Sequence, residues 1–232
     1  MMHIKYFQSE PKISPFAPEW YYEFGEDKID DVDFKELSKF LLEKEKELLS
    51  KPLPYDFNIV DAYTGLGENS VTSRWGSYNL LAFDHPEIKK LRNNIFVKYI
   101  SFMDAVGVER DTVFIQCWFN VLRKGQDIKA HIHSINPYCY LGGHITVQCD
   151  NTSTVYINPI NQINEPQIYE SPNEVGRITF FQQNIPHYTT IHNGDAERIS
   201  IAFDIVMKDG IDFTKPASQN LILLDEITEG NF

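Results

Sequence analysis

The 232-residue sequence predicts an α+β protein, mainly β, in which N-terminal helices back antiparallel strands arranged as a sandwich or jelly-roll barrel. Two segments in the first half carry apolar residues at three- and four-residue steps. From Thr112 onward the apolar period drops to two. Short alternating runs then recur, separated by Asn, Gly and Pro, which is turn chemistry between strands.

The first periodic segment runs from Asp33 to Ser50 and places Phe34, Leu37, Leu41 and Leu48 on one face, with Asp33 positioned to cap the helix. Between the helices, DAYTGLGENSVTSRWGSYNLLAF is rich in Gly and Ser with interspersed aromatics, and predicts a loop with short strands forming one wall of a site. The second helix begins at Pro86, a residue tolerated in a first turn, repeats Ile88, Leu91, Ile95, Val97, Ile100 and Phe102, and closes at Gly107. In the long strand that follows, Val113, Ile115, Cys117, Phe119 and Val121 alternate with Phe114, Gln116, Trp118, Asn120 and Leu122. HITVQCD, STVYINPI, RITFFQQ and RISIAFDIVM continue the strand series. No repeat or linker divides the chain, so a single domain over 1–232 is expected, with a helical and loop part (1–110), a β core (111–207) and a C-terminal tail (208–232).

Composition narrows the function classes. Lys plus Arg number 21 against 33 Asp plus Glu, a net charge of -12, which repels phosphate and argues against nucleic acid as a partner. The expected substrate is a small molecule or a protein side chain. Three cysteines without a C-x-x-C pair point away from a disulfide framework and toward a reducing compartment. With no apolar leader at the N-terminus and no long uncharged run, a cytoplasmic protein without membrane contact is expected.

Two histidines stand as His131-Ile132-His133, and residues two apart on an extended segment share a face, so both imidazoles can reach one ion. A third, His187, follows the run RITFFQQNIP. Further on, Arg198 and Ser200 share one face of a strand whose other face is Ile199, Ile201, Phe203 and Ile205. An inward guanidinium is always charged and demands an anion, either a ligand carboxylate or a nearby Asp such as Asp204. Trp118 and Asn120 share a face leading toward the histidines, where Trp118 either lines a pocket or fills the barrel. Cys117 belongs to the apolar row. His144 reads as a strand residue with a local hydrogen bond and His192 as a turn residue.

The order of these elements, a strand ending W-F-N-V, then H-x-H, a Gly-Gly strand, a Pro-His after a Phe-Phe strand, and R-x-S, resembles the 2-oxoglutarate- and Fe(II)-dependent oxygenases, in particular small bacterial and phage members with an H-x-H motif. It covers roughly Val113 to Val206, with a looser echo in TSRWGSYNLL. The resemblance implies a double-stranded β-helix, a cupin-like jelly roll. It further implies Fe(II), 2-oxoglutarate and O2 as cofactor and co-substrates. On this basis His131, His133 and His187 are the metal and catalytic residues, while Arg198 and Ser200, with Asn120 and Trp118, hold 2-oxoglutarate.

Two departures from the family pattern bear on chemistry. Position 133 is His where the wider family has a carboxylate, so the ligands are three histidines, unless Asp127 or Asp150 swings in. The Ser-Gly-aliphatic-Tyr-Tyr stretch of close relatives is Gly142-Gly143-His144-Ile145-Thr146 here, and Tyr138 and Tyr140 are the candidates to replace the missing tyrosines. Two other classes remain open at this point: a cupin-like three-histidine metalloenzyme that does not use 2-oxoglutarate, and a non-catalytic β-sandwich binding or virion module.

Overall fold

In a computed structural model, residues 2–53, 64–135, 137–157 and 167–225 are described. The chain runs β1 (His3–Gln8), β2 (Tyr21–Lys28), α1 (Phe34–Leu49), α2 (Pro86–Val106), β3 (Val113–Leu122), β4 (Leu141–Gln148), β5 (Ser153–Ile157), β6 (Gln167–Pro172), β7 (Arg177–Gln182), β8 (His187–Thr189), β9 (Arg198–Met207) and β10 (Ile222–Leu223). Both helices start and stop on local chemistry. Asp33 accepts hydrogen bonds from the backbone N–H groups of Lys35 and Glu36 at the start of α1. Gly107 closes α2 in the left-handed conformation at φ 70°, which a residue without Cβ adopts at little cost.

The strands form a seven-stranded antiparallel sheet, ordered β1-β2-β7-β4-β9-β3-β10, and a three-stranded sheet, ordered β6-β5-β8. Alternation along β9 assigns each face of the large sheet. Ile199, Ile201, Phe203 and Ile205 turn toward the helices, where Leu37 and Leu41 of α1 and Leu91 and Ile95 of α2 complete the main core, all of them buried. Burying one such side chain contributes about 1.5–3 kcal/mol, so this one face supplies most of the driving force for the sheet. The opposite face meets the small sheet through an aromatic cluster, with Tyr156 of β5 centred 4.6 Å from Phe24 and 5.2 Å from Phe181. The space between the sheets is where a site can form.

Several sequence expectations are corrected here. Residues 1–110 are not only helix and loop: β1 and β2 join the large sheet, β2 pairing with β7. Their apolar residues are interrupted by Lys and Glu, because Glu26 turns inward to accept from Lys5 and Ser171. The 208–232 tail is not merely a tail, since β10 adds an edge strand on β3. The short strands expected between the helices are 3-10 turns at Val71–Ser77 and Leu80–Ala82. On α2, Val97 is exposed, and the buried stripe is completed by Tyr99 and Met103 instead. The first residues of DAYTGLG and the end of STVYINPI lie outside the described residues.

Candidate metal and co-substrate site

The H-x-H segment is held less by regular strand than by backbone bonds to its neighbours. His131 and His187 form an isolated antiparallel bridge, with His131 N–H donating to the His187 carbonyl at 3.1 Å and the reciprocal bond at 3.0 Å. His133 N–H donates to the Gln183 carbonyl at 2.9 Å, and Ile128 and Thr189 are also paired. The segment from Ile128 to His133 therefore lies along the free edge of the small sheet, and that register brings three histidines distant in sequence to one point.

Their ring centroids are 4.5 Å (His131–His187), 5.0 Å (His133–His187) and 5.4 Å (His131–His133) apart. One ligand atom from each lies within 4.8 Å of the others. Each Nδ1 already has an acceptor: the Lys129 carbonyl at 2.8 Å for His131, the Ile185 carbonyl at 2.9 Å for His187, and Asp204 Oδ1 at 2.5 Å for His133. An imidazole whose Nδ1–H donates presents its Nε2 lone pair, which is the tautomer a metal requires. Burial and the neighbouring imidazole of His133 lower the pKa of His131 to about 4. Burial, then the His131 and His133 rings, hold His187 well below the ordinary histidine range. Both are neutral at physiological pH, ready to ligate a cation without first losing a proton.

The carboxylates proposed as substitute ligands are elsewhere. Asp127 is paired with Lys129 Nζ at 2.9 Å, and Asp150 lies beside His192 and Gly194 rather than in the cluster. Asp204, the alternative partner offered for Arg198, instead accepts from His133 Nδ1 and orients that ring. It has the same strand parity as Arg198 and Ser200, which puts it on the site face of β9.

The histidines open into a cavity of about 130 Å³ lined from the large sheet by Trp118, Asn120, His144, Phe181, Arg198 and Ser200. Thr154 and Thr189 of the small sheet and Thr72 and Trp75 of the first 3-10 turn close it, so the inter-helix segment does supply one wall. Ser200 and Asn120 face each other across the β3–β9 ladder. Asn120 Oδ1 accepts from the Thr72 hydroxyl at 2.8 Å, which leaves its Nδ2 donors for a ligand. Trp118 serves both readings offered for it, lining the cavity with its ring 5.8 Å from that of His133 while contributing to the main core. Cys117 is fully buried, as its row predicts.

Arg198 lies at the inner end, 1% exposed. Its Nε donates to the Thr152 hydroxyl at 3.1 Å, while Nη1 is buried with no hydrogen-bond partner. No carboxylate pairs with it among the described residues. Burial lowers its pKa to about 10, which still leaves it charged at neutral pH. A buried guanidinium with no carboxylate partner, lining a largely apolar cavity, is an anion site without its anion. Nearby, burial and then the Arg198 charge push His144 down to about 3, so this neutral ring, within 3.3 Å of the Tyr156 hydroxyl, adds polarity without charge. The tyrosines expected to stand in for the family pair do not: Tyr140 bonds Tyr99 at 2.9 Å beneath the sheet, and Tyr138 is half-exposed outside this cavity. His192 is buried rather than in an open turn, its Nε2 bonded to the Ala196 carbonyl.

Residues 116–204 match the family described as "Putative 2OG-Fe(II) oxygenase". The match covers less than half of the chain, from Gln116 within β3 to Asp204, and includes all three histidines, Arg198 and Ser200. Among solved structures, the chain is similar to AviO1 from Streptomyces viridochromogenes Tue57, at 12% identity over 82% of this chain and 91% of that one, with a TM-score of 0.54. It is similar also to the non-heme alpha ketoglutarate dependent epimerase SnoN from nogalamycin biosynthesis, at 12% identity over 89% and 93%, with a TM-score of 0.52. A 2OG-Fe(II) oxygenase family protein from Burkholderia pseudomallei is 18% identical over 53% of this chain, which spans 59% of that protein's length, with a TM-score of 0.43. No curated protein matches the sequence. At these identities the structural likeness is one of fold, a mainly β architecture with flanking helices shared with 2OG-Fe(II) oxygenases. No helix among the described residues is long and apolar enough to cross a membrane.

Proposed function

We propose that this chain is a 2OG-Fe(II) oxygenase, a hydroxylase of a small molecule or protein side chain that releases succinate and CO2, and that its two sheets are those of a double-stranded β-helix. The observation that carries the reading is the pairing of two incomplete sites in one cavity: three imidazoles with their Nδ1 atoms engaged, and a buried guanidinium with no anion. Fe(II) would suit the first and a dicarboxylate the second. 2-Oxoglutarate would offer both groups, a keto acid end for the metal and a far carboxylate for Arg198.

In this assignment His131, His133 and His187 hold the iron through Nε2, and Asp204 orients His133. Arg198 and Ser200 clamp the distal carboxylate, Asn120 donates from Nδ2, and Trp118 and Trp75 exclude water beside the metal. When bound, iron and 2-oxoglutarate together supply O2 activation, one oxygen atom entering a substrate C–H bond as hydroxyl and the other entering succinate as CO2 leaves. The chain's own contribution is to bind, orient and desolvate. A cupin-like metalloenzyme without 2-oxoglutarate would need a substrate carboxylate for Arg198, and a non-catalytic module leaves both sites without a purpose. The reading is tested by adding Fe(II) and 2-oxoglutarate anaerobically and looking for the visible charge-transfer band of a chelated keto acid. A saturated sample with no band overturns it.

A further inference from the structure

A second cavity, about 260 Å³, adjoins the first and shares Trp75, His133 and Asp204 with it. It is bounded by the ends of β3 and β9 and by residues 210–221 of the C-terminal segment. Gln116 lines it and is 3% exposed. Its Nε2 donates to the carbonyls of Trp75 and Tyr78, both at 2.6 Å, which fixes the amide orientation, and its Oε1 is left buried with no partner. Asp204 is its neighbour across the ladder and lines the same cavity, one carboxylate oxygen committed to His133. Asp212 adds a second carboxylate at the rim, and Trp75 and Tyr138 supply aromatic surface.

The polar groups at the inner wall thus accept hydrogen bonds and carry negative charge, beside aromatic rings, in a protein of net charge -12. Cationic donors fit that combination. The one cation in the lining, Lys215, is largely exposed at the rim, 4.0 Å from Asp212. We propose that this cavity is the substrate chamber of the oxygenase and that it takes a substrate bearing an ammonium or guanidinium group, held between Gln116 Oε1, Asp204 and Asp212. The substrate role rests on the oxygenase reading above, whereas the preference for a cation rests on this cavity alone.

The test uses the full chain and two five-carbon probes of similar shape, n-pentylammonium and 1-pentanol. Binding to the metal-free protein is read by calorimetry and by tryptophan fluorescence. Pentylammonium is expected to bind about tenfold more tightly than pentanol, the increment of one charge-assisted hydrogen bond. Lys215→Gln removes a like charge from the rim and is expected to tighten pentylammonium about threefold without improving pentanol. Ser218→Trp fills the cavity and is expected to abolish probe binding while keeping the Fe(II)–2-oxoglutarate band. Equal affinity for pentanol and pentylammonium, or full probe binding in Ser218→Trp, overturns the proposal. If pentylammonium binds as described but neither parent nor variant forms the band, the substrate role falls with the oxygenase reading.

Discussion

Asp204 Oδ1 lies 2.5 Å from His133 Nδ1, so a carboxylate backs one of the three clustered histidines from behind. It arrives from β9, on the opposite side of the sequence motif. A carboxylate accepting from Nδ1–H raises electron density at Nε2, and part of its charge is felt at the ligand atom.

This relationship predicts coupling between the two residues. In the parent, Asp204→Asn is expected to weaken Fe(II) or its Co(II) surrogate by about 10–100-fold, the usual cost of losing such a partner. In a His133→Asp background there is no imidazole for Asp204 to orient, and there Asp204→Asn is expected to cost much less. Titration of all four proteins with Co(II) checks it. Weakening of similar size in both backgrounds would mean that Asp204 does not act through His133.

Arg198 predicts stability and binding moving in opposite directions. Arg198→Met is expected to raise the melting temperature of the metal-free protein, since a buried unpaired charge is replaced by an apolar chain of similar length. The same change is expected to weaken 2-oxoglutarate by about 10–150-fold, the equivalent of roughly 1.5–3 kcal/mol for a charge-assisted pair. Thermal melts with and without 2-oxoglutarate measure both. A lower melting temperature with unchanged co-substrate affinity would make Arg198 structural.

The pH dependence follows from buried neutral histidines. His131 and His144 have folded pKa values of about 4 and about 3, and His187 is also held low, all chiefly by burial. In the unfolded chain each titrates near 6.5. Between those values the unfolded state binds more protons, so the stability of the metal-free protein rises with pH and is lost as pH falls below about 6.5, by up to about 1.4 kcal/mol per pH unit per histidine. Denaturant melts from pH 7.5 to 4.5 are expected to show this slope, and His144→Leu to flatten it. A stability profile level across that range would contradict the neutral assignment.

The two strand glycines are predicted to differ. A Cβ at Gly143 meets the Phe203 ring and the Thr179 carbonyl at impossibly short range, so Gly143→Ala is expected to cost about 1–3 kcal/mol of stability. A Cβ at Gly142 comes within 3.3 Å of both Asp204 Oδ1 and His133 Nδ1. Gly142→Ala is expected to change stability less and metal affinity more. Urea melts and Co(II) titrations of the pair distinguish the two effects, and an identical profile for both substitutions would refute the distinction.

Residue order alone determined the two helices and the five alternating runs, because periodicity of 3.6 or 2 is a local property and Asp33, Pro86 and Gly107 mark ends that need no tertiary partner. It also determined that Arg198 and Ser200 face away from the apolar row of β9, since alternation is geometric. What it left open were relationships across the chain. The short β8 and β10 and the polar-interrupted β1 exist through pairing with other strands, and their own residues carry little pattern. Strand parity put Asp204 on the face of Arg198 and Ser200 and named Arg198 as a partner, but it says nothing of which group from another strand comes nearer. Only the tertiary structure, by running the 128–133 segment along the edge of the small sheet, brought His133 to Asp204 and left Arg198 buried without an anion. Which charge is paired and which stays unpaired depends on distances between strands far apart in sequence.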